Sequence, residues 1–114
     1  VAAAGVCGET VLENAARLRL KESDRLQTVA AMLKALGHGV TVTQDGLIID
    51  GGEPKPCGEP IRTVDGADDH RIVMALSVIL SQIGGSICGA SAVRKSYPGF
   101  FEDIKSLGAE VKLQ

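Results

Sequence analysis

The sequence predicts an α/β fold, because three of its features point the same way. Segments with helical periodicity alternate with short segments rich in β-branched residues, and turn residues separate them. The segment LKALGHGVTV at 33–42 recurs as IKSLGAEVKL at 104–113, 71 residues further on. Apolar residues make up 45% of the 114 residues, which is enough for the core of one domain. These features favour a layered or barrel-like α/β domain that stacks one supersecondary unit.

The first half of the chain reads as a strand, a helix and a hairpin. Alternating apolar residues in ETVLENA (9–15) indicate the strand. The spacing of the next apolar residues predicts a helix from about Asp24 to Leu36, and Gly37 is the left-handed residue that ends it. A strand near Val40 to Thr43 follows, QDG supplies a hairpin turn, and LIID (47–50) is the return strand.

The second half begins with a loop and continues with two helices. GGEPKPCGEP (51–60) has too many Gly and Pro residues for regular structure. A helix from about Asp69 to Ile83 is apolar over a wide arc and is therefore expected to be buried. GGSICGA (84–90) reads as a turn and a strand. A final helix from about Ser96 to Leu107 ends at a glycine, like the first, and a last short strand follows.

Composition and cysteine usage exclude several classes of function. The net charge of -2 argues against a nucleic-acid or polyanion partner, and 3% aromatic residues without Trp argue against a base-stacking surface. No apolar stretch approaches the roughly 18 residues that span a bilayer, so we expect no membrane partner. Cys7, Cys57 and Cys88 are widely spaced, and with two histidines they supply too few ligands for a zinc site. They read as three reduced thiols of a cytosolic protein.

The start of the chain suggests a piece of something longer. It begins at Val1 without a methionine, and no basic segment leads into an apolar run as in a signal peptide. The opening residues VAAAGVCGETVLENAARLRL read as if the chain enters in the middle of a fold. We therefore expect a fragment.

Charged residues gather at the predicted helix starts in three basic clusters, which are KESDR (21–25), DDHR (68–71) and RKSYP (94–98). Basic side chains at a helix N-terminus oppose the positive end of the helix dipole by about a few tenths of a kcal/mol each. An anion at the same place reverses the sign, because backbone amides, dipole and cations then all attract it. The clusters therefore indicate an anion site. The predicted helix caps are Ser23, Asp68 or Asp69, and Ser96.

Individual residues in the clusters suit such a site. Arg25 and Arg71 can each hold a carboxylate or a phosphate through two parallel hydrogen bonds. Lys21 and Lys95 add point charges. Glu22 does not help to bind an anion, and it is better suited to carry a proton beside a reacting group.

Plainer interpretations stand beside this one. KESDR can be a solvated helix start capped by Ser23, Asp69 and His70 can be a cap and a structural histidine, and Lys95 can be a surface lysine. For the whole chain, one alternative is a stand-alone anion-binding module without catalysis. Another is a purely structural domain, which a dispersed arrangement of the three clusters would favour.

Three motifs give the chain a family resemblance. RLKESDRL (19–26), DHRIVMA (69–75) and KSYPGFF (95–101) together resemble the 5-enolpyruvylshikimate-3-phosphate (EPSP) synthase family, over about residues 16–111. The resemblance implies a part of the C-terminal domain, with the start of this domain and the whole N-terminal domain absent. That domain is an inside-out α/β barrel-like array of βαβαββ units, the enolpyruvyl transferase fold. A domain of repeated units agrees with the internal repeat of the sequence.

The resemblance also implies an activity. The family transfers the enolpyruvyl group of phosphoenolpyruvate to the 5-hydroxyl of shikimate 3-phosphate and releases phosphate. This step of the shikimate pathway, which leads to chorismate and the aromatic amino acids, needs no metal or organic cofactor. The herbicide glyphosate occupies the phosphoenolpyruvate position. Since the active site lies between two domains, the partner of this chain would be the missing N-terminal domain, and the fragment alone is expected to be inactive.

Roles carry over by position in the motifs. Arg25, Arg71 and Lys95 match the cationic clamp on phosphoenolpyruvate. Lys21 matches a lysine between the two substrates, and Glu22 matches the acid/base glutamate. The remaining matches are Asp69 and His70, beside the clamp arginine. The family's aspartate that deprotonates the 5-hydroxyl would fall before Val1, outside this chain.

Overall fold

A computed structural model describes residues 1–52 and 63–114. Five strands and three α-helices lie in these ranges, with two 3-10 helices between them. The strands are β1 (Gly8–Leu12), β2 (Gly39–Val42), β3 (Leu47–Gly51), β4 (Thr63–Asp65) and β5 (Ser86–Cys88). The α-helices are α1 (Arg25–Ala35), α2 (His70–Ile83) and α3 (Phe100–Ser106). The first 3-10 helix is Ala16–Leu20 and the second is Ala90–Lys95.

The strands form two small sheets. In the first sheet β3 lies between β1 and β2 and is antiparallel to both, with Ile49 opposite Thr10 and Val40. The predicted hairpin between β2 and β3 is confirmed, and Thr43 N donates to Gly46 O at 3.0 Å across its turn. In the second sheet β4 and β5 are parallel, and α2 connects them as the crossover that parallel strands require.

The internal repeat is confirmed at the ends of α1 and α3. Gly37 and Gly108 have φ values of 92° and 100°, the left-handed conformation that favours glycine. His38 N donates to Leu33 O at 3.0 Å, and Ala109 N donates to Ile104 O at 3.2 Å. Each is the long hydrogen bond of a Schellman motif, so the two copies end their helices with the same backbone geometry.

The element order also agrees with βαβαββ units. The series β1-α1-β2-β3 corresponds to the last four elements of one unit, and β4-α2-β5-α3 to the first four of the next. Helices α1 and α3 then occupy the same place in successive units. That is the placement the sequence repeat requires.

The predicted last strand is wrong, because residues 110–113 have no strand conformation. In the first copy of the repeat β2 pairs with β3, whereas no described strand lies beside residues 110–113. A strand needs a hydrogen-bonding neighbour, so the same local sequence pattern gives different structures in the two copies. Strand β4 was not predicted, since three residues are too few for a periodic signal. Of the predicted loop, residues 53–60 lie outside the described residues.

The predicted start of the last helix is also wrong. Helix α3 begins at Phe100 with Gly99 as N-cap, and Ser96 instead ends the second 3-10 helix. Pro98 accounts for the shift, because the residue before a proline is disfavoured in helical conformation. Lys95 therefore lies in the last turn of a 3-10 helix and not at a helix start.

The core has two parts that share α2. The larger part lies between α1, α2 and the first sheet, and its most deeply buried members are Leu26, Leu33, Leu36, Ile49 and Leu76. The smaller part packs Val73 of α2 against the second 3-10 helix and the two phenylalanines of α3. Because α1 and α2 share the larger part, their N-termini come close together. No helix among the described residues is long and apolar enough to cross a membrane.

Candidate active site

The N-termini of α1 and α2 are joined by a buried ion pair. Arg25, the first residue of α1, donates from Nε to Asp69 Oδ2 at 2.9 Å and from Nη2 to Asp69 Oδ1 at 3.2 Å. The two residues are 44 positions apart in sequence. Asp69 is fully buried and Arg25 nearly so. This two-point contact is the geometry in which arginine binds carboxylates best.

The Asp69 carboxylate accepts two further hydrogen bonds. Ser23 Oγ donates to Oδ2 at 2.7 Å, and the backbone N–H of Arg71 donates to Oδ1 at 3.0 Å, which makes Asp69 the N-cap of α2. Burial by itself raises the pKa of Asp69, but the hydrogen bonds from Arg25, Ser23 and the Arg71 N–H outweigh it and lower the pKa to about 2. Asp69 is therefore ionised at neutral pH, and its oxygens are occupied by protein donors.

Glu22 lies beside the same arginine but faces solvent. Arg25 Nη2 donates to Glu22 Oε2 at 2.6 Å, and the Glu22 side chain is 46% exposed. A hydrogen bond with its own backbone N–H has the largest effect on the pKa of Glu22 and lowers it, desolvation opposes this, and the charge of Arg25 lowers the pKa further. Glu22 is thus a carboxylate at the surface of a cationic centre.

The capping pattern differs from the prediction at α1. Asp24, not Ser23, is the N-cap, and its Oδ1 accepts from Gln27 N at 3.3 Å. Ser23 points instead to Asp69, 46 positions away. At α2 the predicted choice between Asp68 and Asp69 is decided in favour of Asp69.

Lys95 reaches the start of α2 from the second 3-10 helix. Its Nζ lies 2.7 Å from Asp68 Oδ2 and donates to Asp68 O at 2.7 Å. Asp68 and Ala67 have φ values of 50° and 52°, which non-glycine residues rarely adopt. The turn before α2 is thus held in a costly conformation, as at many functional sites.

Gly66 allows this turn to pass close to the core. A Cβ at Gly66 would lie 2.5 Å from Val73 Cγ2 and 3.0 Å from Cys88 O, which is too close. Ala67 N donates to Asp65 Oδ1 at 2.8 Å and supports the turn from the other side. The backbone therefore approaches α2 tightly and delivers Asp68 and Asp69 to its N-terminus.

Lys21, His70 and Arg71 complete the neighbourhood. Lys21 and Arg71 are exposed, and their side chains form no ion pair or hydrogen bond with residues that the structure describes. His70 is 9% exposed, and its buried Nδ1 has no hydrogen-bond partner within the described ranges. A buried polar atom without a partner is uncommon in folded proteins and is a natural position for a ligand or water contact.

The structure thus brings the three basic clusters together around the start of α2. The first cluster meets it through Arg25 and Ser23, and the third through Lys95 and Asp68. A dispersed arrangement, which would favour a purely structural domain, is absent. One detail was not expected, because Arg25 already donates from Nε and Nη2 to the carboxylates of Asp69 and Glu22. An anion could therefore bind Arg25 only through Nη1 or by displacing Glu22.

Comparison with known proteins identifies the family. A family model described as EPSP synthase (3-phosphoshikimate 1-carboxyvinyltransferase) matches residues 1–104. The chain belongs to the EPSP synthase family. The resemblance drawn from the three motifs is confirmed, and so is the enolpyruvyl transferase fold.

Individual relatives agree over nearly the whole chain. The 3-phosphoshikimate 1-carboxyvinyltransferase of Clostridium acetobutylicum is 45% identical over 106 residues, which cover 91% of this chain and 24% of the relative. That of Methanocella arvoryzae is 44% identical over an alignment of 115 positions, which covers 99% of this chain and 26% of the relative. A solved EPSP synthase from Acinetobacter baumannii superimposes with a TM-score of 0.78 at 37% identity, covering 97% of this chain and 26% of that one. The chain therefore spans about a quarter of the length of these family members.

Proposed function

We propose that the chain is part of the C-terminal domain of an enzyme that transfers the enolpyruvyl group of phosphoenolpyruvate to the 5-hydroxyl of shikimate 3-phosphate. The observation that carries the proposal is the joining of the α1 and α2 starts through Arg25 and Asp69, with Glu22 at the exposed edge of the pair. This arrangement offers cations for a highly charged substrate and one carboxyl group for proton transfer. Membership of the EPSP synthase family supports it.

Phosphoenolpyruvate carries a carboxylate and a phosphate, so several cations must meet it. Arg71 and Lys21 are exposed and uncommitted among the described residues, and they are the first contacts we assign. Lys95 is paired with Asp68 at the start of α2 and adds a further positive charge. Arg25 adds positive charge beside Glu22, and the unpaired Nδ1 of His70 is suited to a polar contact with a substrate. Arginine and lysine that hold the phosphate also stabilise it as it leaves.

Glu22 is the residue to which we assign the proton transfers. Protonation of the substrate methylene makes C2 electron-poor, and the 5-hydroxyl attacks C2 to give a tetrahedral intermediate. Loss of phosphate and of a methyl proton then completes the transfer, so one carboxyl group acts first as acid and later as base. Glu22 is ionised in the free protein, and a substrate anion that displaces it from Arg25 would raise its pKa. Substrate binding itself would therefore prepare the acid.

The remaining parts of the reaction belong to residues outside this chain. The proposed partner is the N-terminal domain of the same enzyme, which completes the cleft and helps to bind both substrates. The proposed location is the cytoplasm, with which the free thiols of Cys7 and Cys88 are compatible. No organic cofactor or metal enters the proposed mechanism, and glyphosate is the expected inhibitor at the phosphoenolpyruvate position.

The test is phosphate release by the complete enzyme from phosphoenolpyruvate and shikimate 3-phosphate. We expect release that requires both substrates and stops with glyphosate. A complete enzyme that binds phosphoenolpyruvate without releasing phosphate would overturn the proposal and favour an anion-binding module.

A further inference from the structure

The proposed acid and its neighbouring lysine lie on a short segment without regular structure. Residues 21–23 form bends between the first 3-10 helix and α1. Arg19 precedes the segment and Asp24 follows it, and these two residues form an ion pair with Nη1 3.0 Å from Oδ2. The ion pair closes the segment into a small loop, which we call the KES loop (residues 21–23).

Arg19 also fastens this loop to the first sheet. Its Nη2 donates to Thr43 O at 2.8 Å and its Nε donates to Gln44 O at 3.2 Å, both in the turn between β2 and β3. One guanidinium thus donates to three acceptors, one from each of its nitrogen atoms. Lysine cannot reproduce this, since its ammonium is a point charge without a fixed fork.

The same turn and the same helix start are secured by other contacts. Ala15 N donates to Asp45 O at 2.7 Å, so the turn also holds the entry to the first 3-10 helix. Asp24 accepts from Gln27 N at 3.3 Å, and its backbone oxygen accepts from Thr28. Arg19 therefore links two anchored elements, and the KES loop lies between them.

The far side of the KES loop faces the candidate site. Glu22 contacts Arg25 there, and Ser23 contacts the buried Asp69. We propose that Arg19 is a positioning residue, which sets the KES loop so that Glu22 and Lys21 meet the substrate. This inference rests on the proposed function. Arg19 acts through the loop and does not itself touch the reacting atoms.

The first test compares variants of the complete enzyme. In Arg19→Gln we expect kcat to fall by about 10- to 100-fold with a smaller change in KM, because a misplacement of roughly 1 Å can cost about that much. Arg19→Lys should not restore kcat. The control is Lys34→Gln, an exposed lysine in the last turn of α1. A kcat of Arg19→Gln within about twofold of this control, or full rescue by Arg19→Lys, would overturn the proposal.

The second test does not depend on activity. Carbon-13 NMR of the Glu22 carboxyl group in the complete enzyme follows its titration, with Glu22→Gln for assignment. The charged or titratable groups that face Glu22 are Arg25, Asp69 and His70. In Arg19→Gln we expect the Glu22 titration midpoint to move up, because the displaced carboxylate loses its backbone hydrogen bond and Arg25. An unchanged midpoint would mean that Arg19 does not position Glu22.

A second variant guards against misfolding of the first. Asp24→Asn breaks the same ion pair, while asparagine caps a helix as well as aspartate does. It should move the Glu22 midpoint and kcat in the same direction as Arg19→Gln. A lower melting temperature with both readouts unchanged would show a merely structural role and overturn the proposal. If wild-type enzyme releases no phosphate, the proposed function fails, and the NMR result alone decides whether Arg19 holds Glu22.

Discussion

At the scale of single residues, the site depends on how two carboxylates share one arginine. Asp69 is buried and accepts four hydrogen bonds, two of them from Arg25, so its work is to hold donors in place. Glu22 takes the exposed side of the same guanidinium. The two acidic residues thus share one arginine but differ in burial. Buried Asp69 is a fixed anchor, whereas exposed Glu22 is free to exchange protons in the proposed reaction. Both have lowered pKa values in the free protein.

The pKa of Asp69 predicts an acid-sensitive fold. Its pKa is about 2 in the folded protein against an ordinary value of 3.8, so the folded state binds this proton less readily. The associated stability is fully present above about pH 4 and is lost as pH falls towards 2, by roughly 2 kcal/mol. Urea unfolding at pH 5, 4, 3 and 2 measures it. Asp69→Asn should lack this part of the pH dependence, and an identical slope in the variant would contradict the assignment.

Replacing the proposed acid separates catalysis from binding. In the complete enzyme Glu22→Gln should lower kcat by about 10²- to 10⁴-fold, the usual contribution of general acid–base catalysis. Phosphoenolpyruvate binding should stay within a few-fold, because the cations remain. Steady-state kinetics and equilibrium binding give the two values, with exposed Glu102→Gln in α3 as the matched control. Unchanged turnover would favour the anion-binding module.

We expect Arg71 to contribute to phosphoenolpyruvate binding and hardly at all to the stability of the fold. Its side chain is exposed and forms no ion pair or hydrogen bond with other described residues, so Arg71→Ala should leave stability nearly unchanged. Loss of a charge-assisted contact to substrate costs about 1.5 to 3 kcal/mol, or roughly 10- to 100-fold in phosphoenolpyruvate affinity. Titration of the complete enzyme measures this. Exposed Arg94→Ala is the control, and equal affinities for the two variants would refute the clamp role.

At the scale of elements, the repeated helix end at Gly37 and Gly108 lies in two different environments. Helices α1 and α3 end with the same Schellman hydrogen bond and the same left-handed glycine. The leucines that precede those glycines differ, because Leu36 is fully buried and Leu107 is 87% exposed. Leu36 packs in the core that the first sheet covers, while no described sheet covers Leu107. The backbone geometry of the helix end is thus set by the local sequence, whereas the burial of the leucine depends on which other elements pack against it.

This pair gives a matched stability test. Leu36→Ala should lower the free energy of unfolding by about 2 to 5 kcal/mol, as buried leucines do when a cavity forms. Leu107→Ala, at the equivalent place in the repeat, should change it by no more than about 0.5 kcal/mol. Urea unfolding of the 114-residue chain compares them. Similar losses for both would mean that Leu107 is covered in solution.

At the scale of the whole molecule, the candidate site needs more than this chain for the proposed reaction. The cationic groups and Glu22 lie at the exposed edge of the α1 and α2 starts, and the chain spans about a quarter of its relatives' length. In the proposed reaction the 5-hydroxyl needs a base and the substrates need further cations. None of the described residues is assigned these roles, so the proposed reaction needs further groups to supply them.

The 114-residue chain alone should therefore release no phosphate from phosphoenolpyruvate and shikimate 3-phosphate. In the proposed enzyme the N-terminal domain completes the substrate site and a base outside this chain deprotonates the hydroxyl, and substrate orientation and general base catalysis each have large effects in enzymes. The complete enzyme, assayed in parallel, is the positive control. Phosphate release by the chain that disappears in Glu22→Gln would contradict this prediction.

The sequence by itself determined the features that depend on neighbours in the chain. The spans of α1 and α2, the hairpin between β2 and β3, and the glycine stops follow from periodicity and turn chemistry within a few residues. The motifs around Lys21, Asp69 and Lys95 were sufficient to name the family and to nominate the site residues.

Only the tertiary structure decided which of those residues contact each other. The pairing of Arg25 with Asp69, the link from Ser23 to the same carboxylate and the anchoring of Arg19 join positions 24 to 46 residues apart. The spacing of such pairs carries no periodic signal. Packing of α1, α2 and the first sheet around one core sets these distances, so local pattern could nominate the residues but could not assign their partners. The absent last strand has the same cause, since a strand exists only where another chain segment lies beside it.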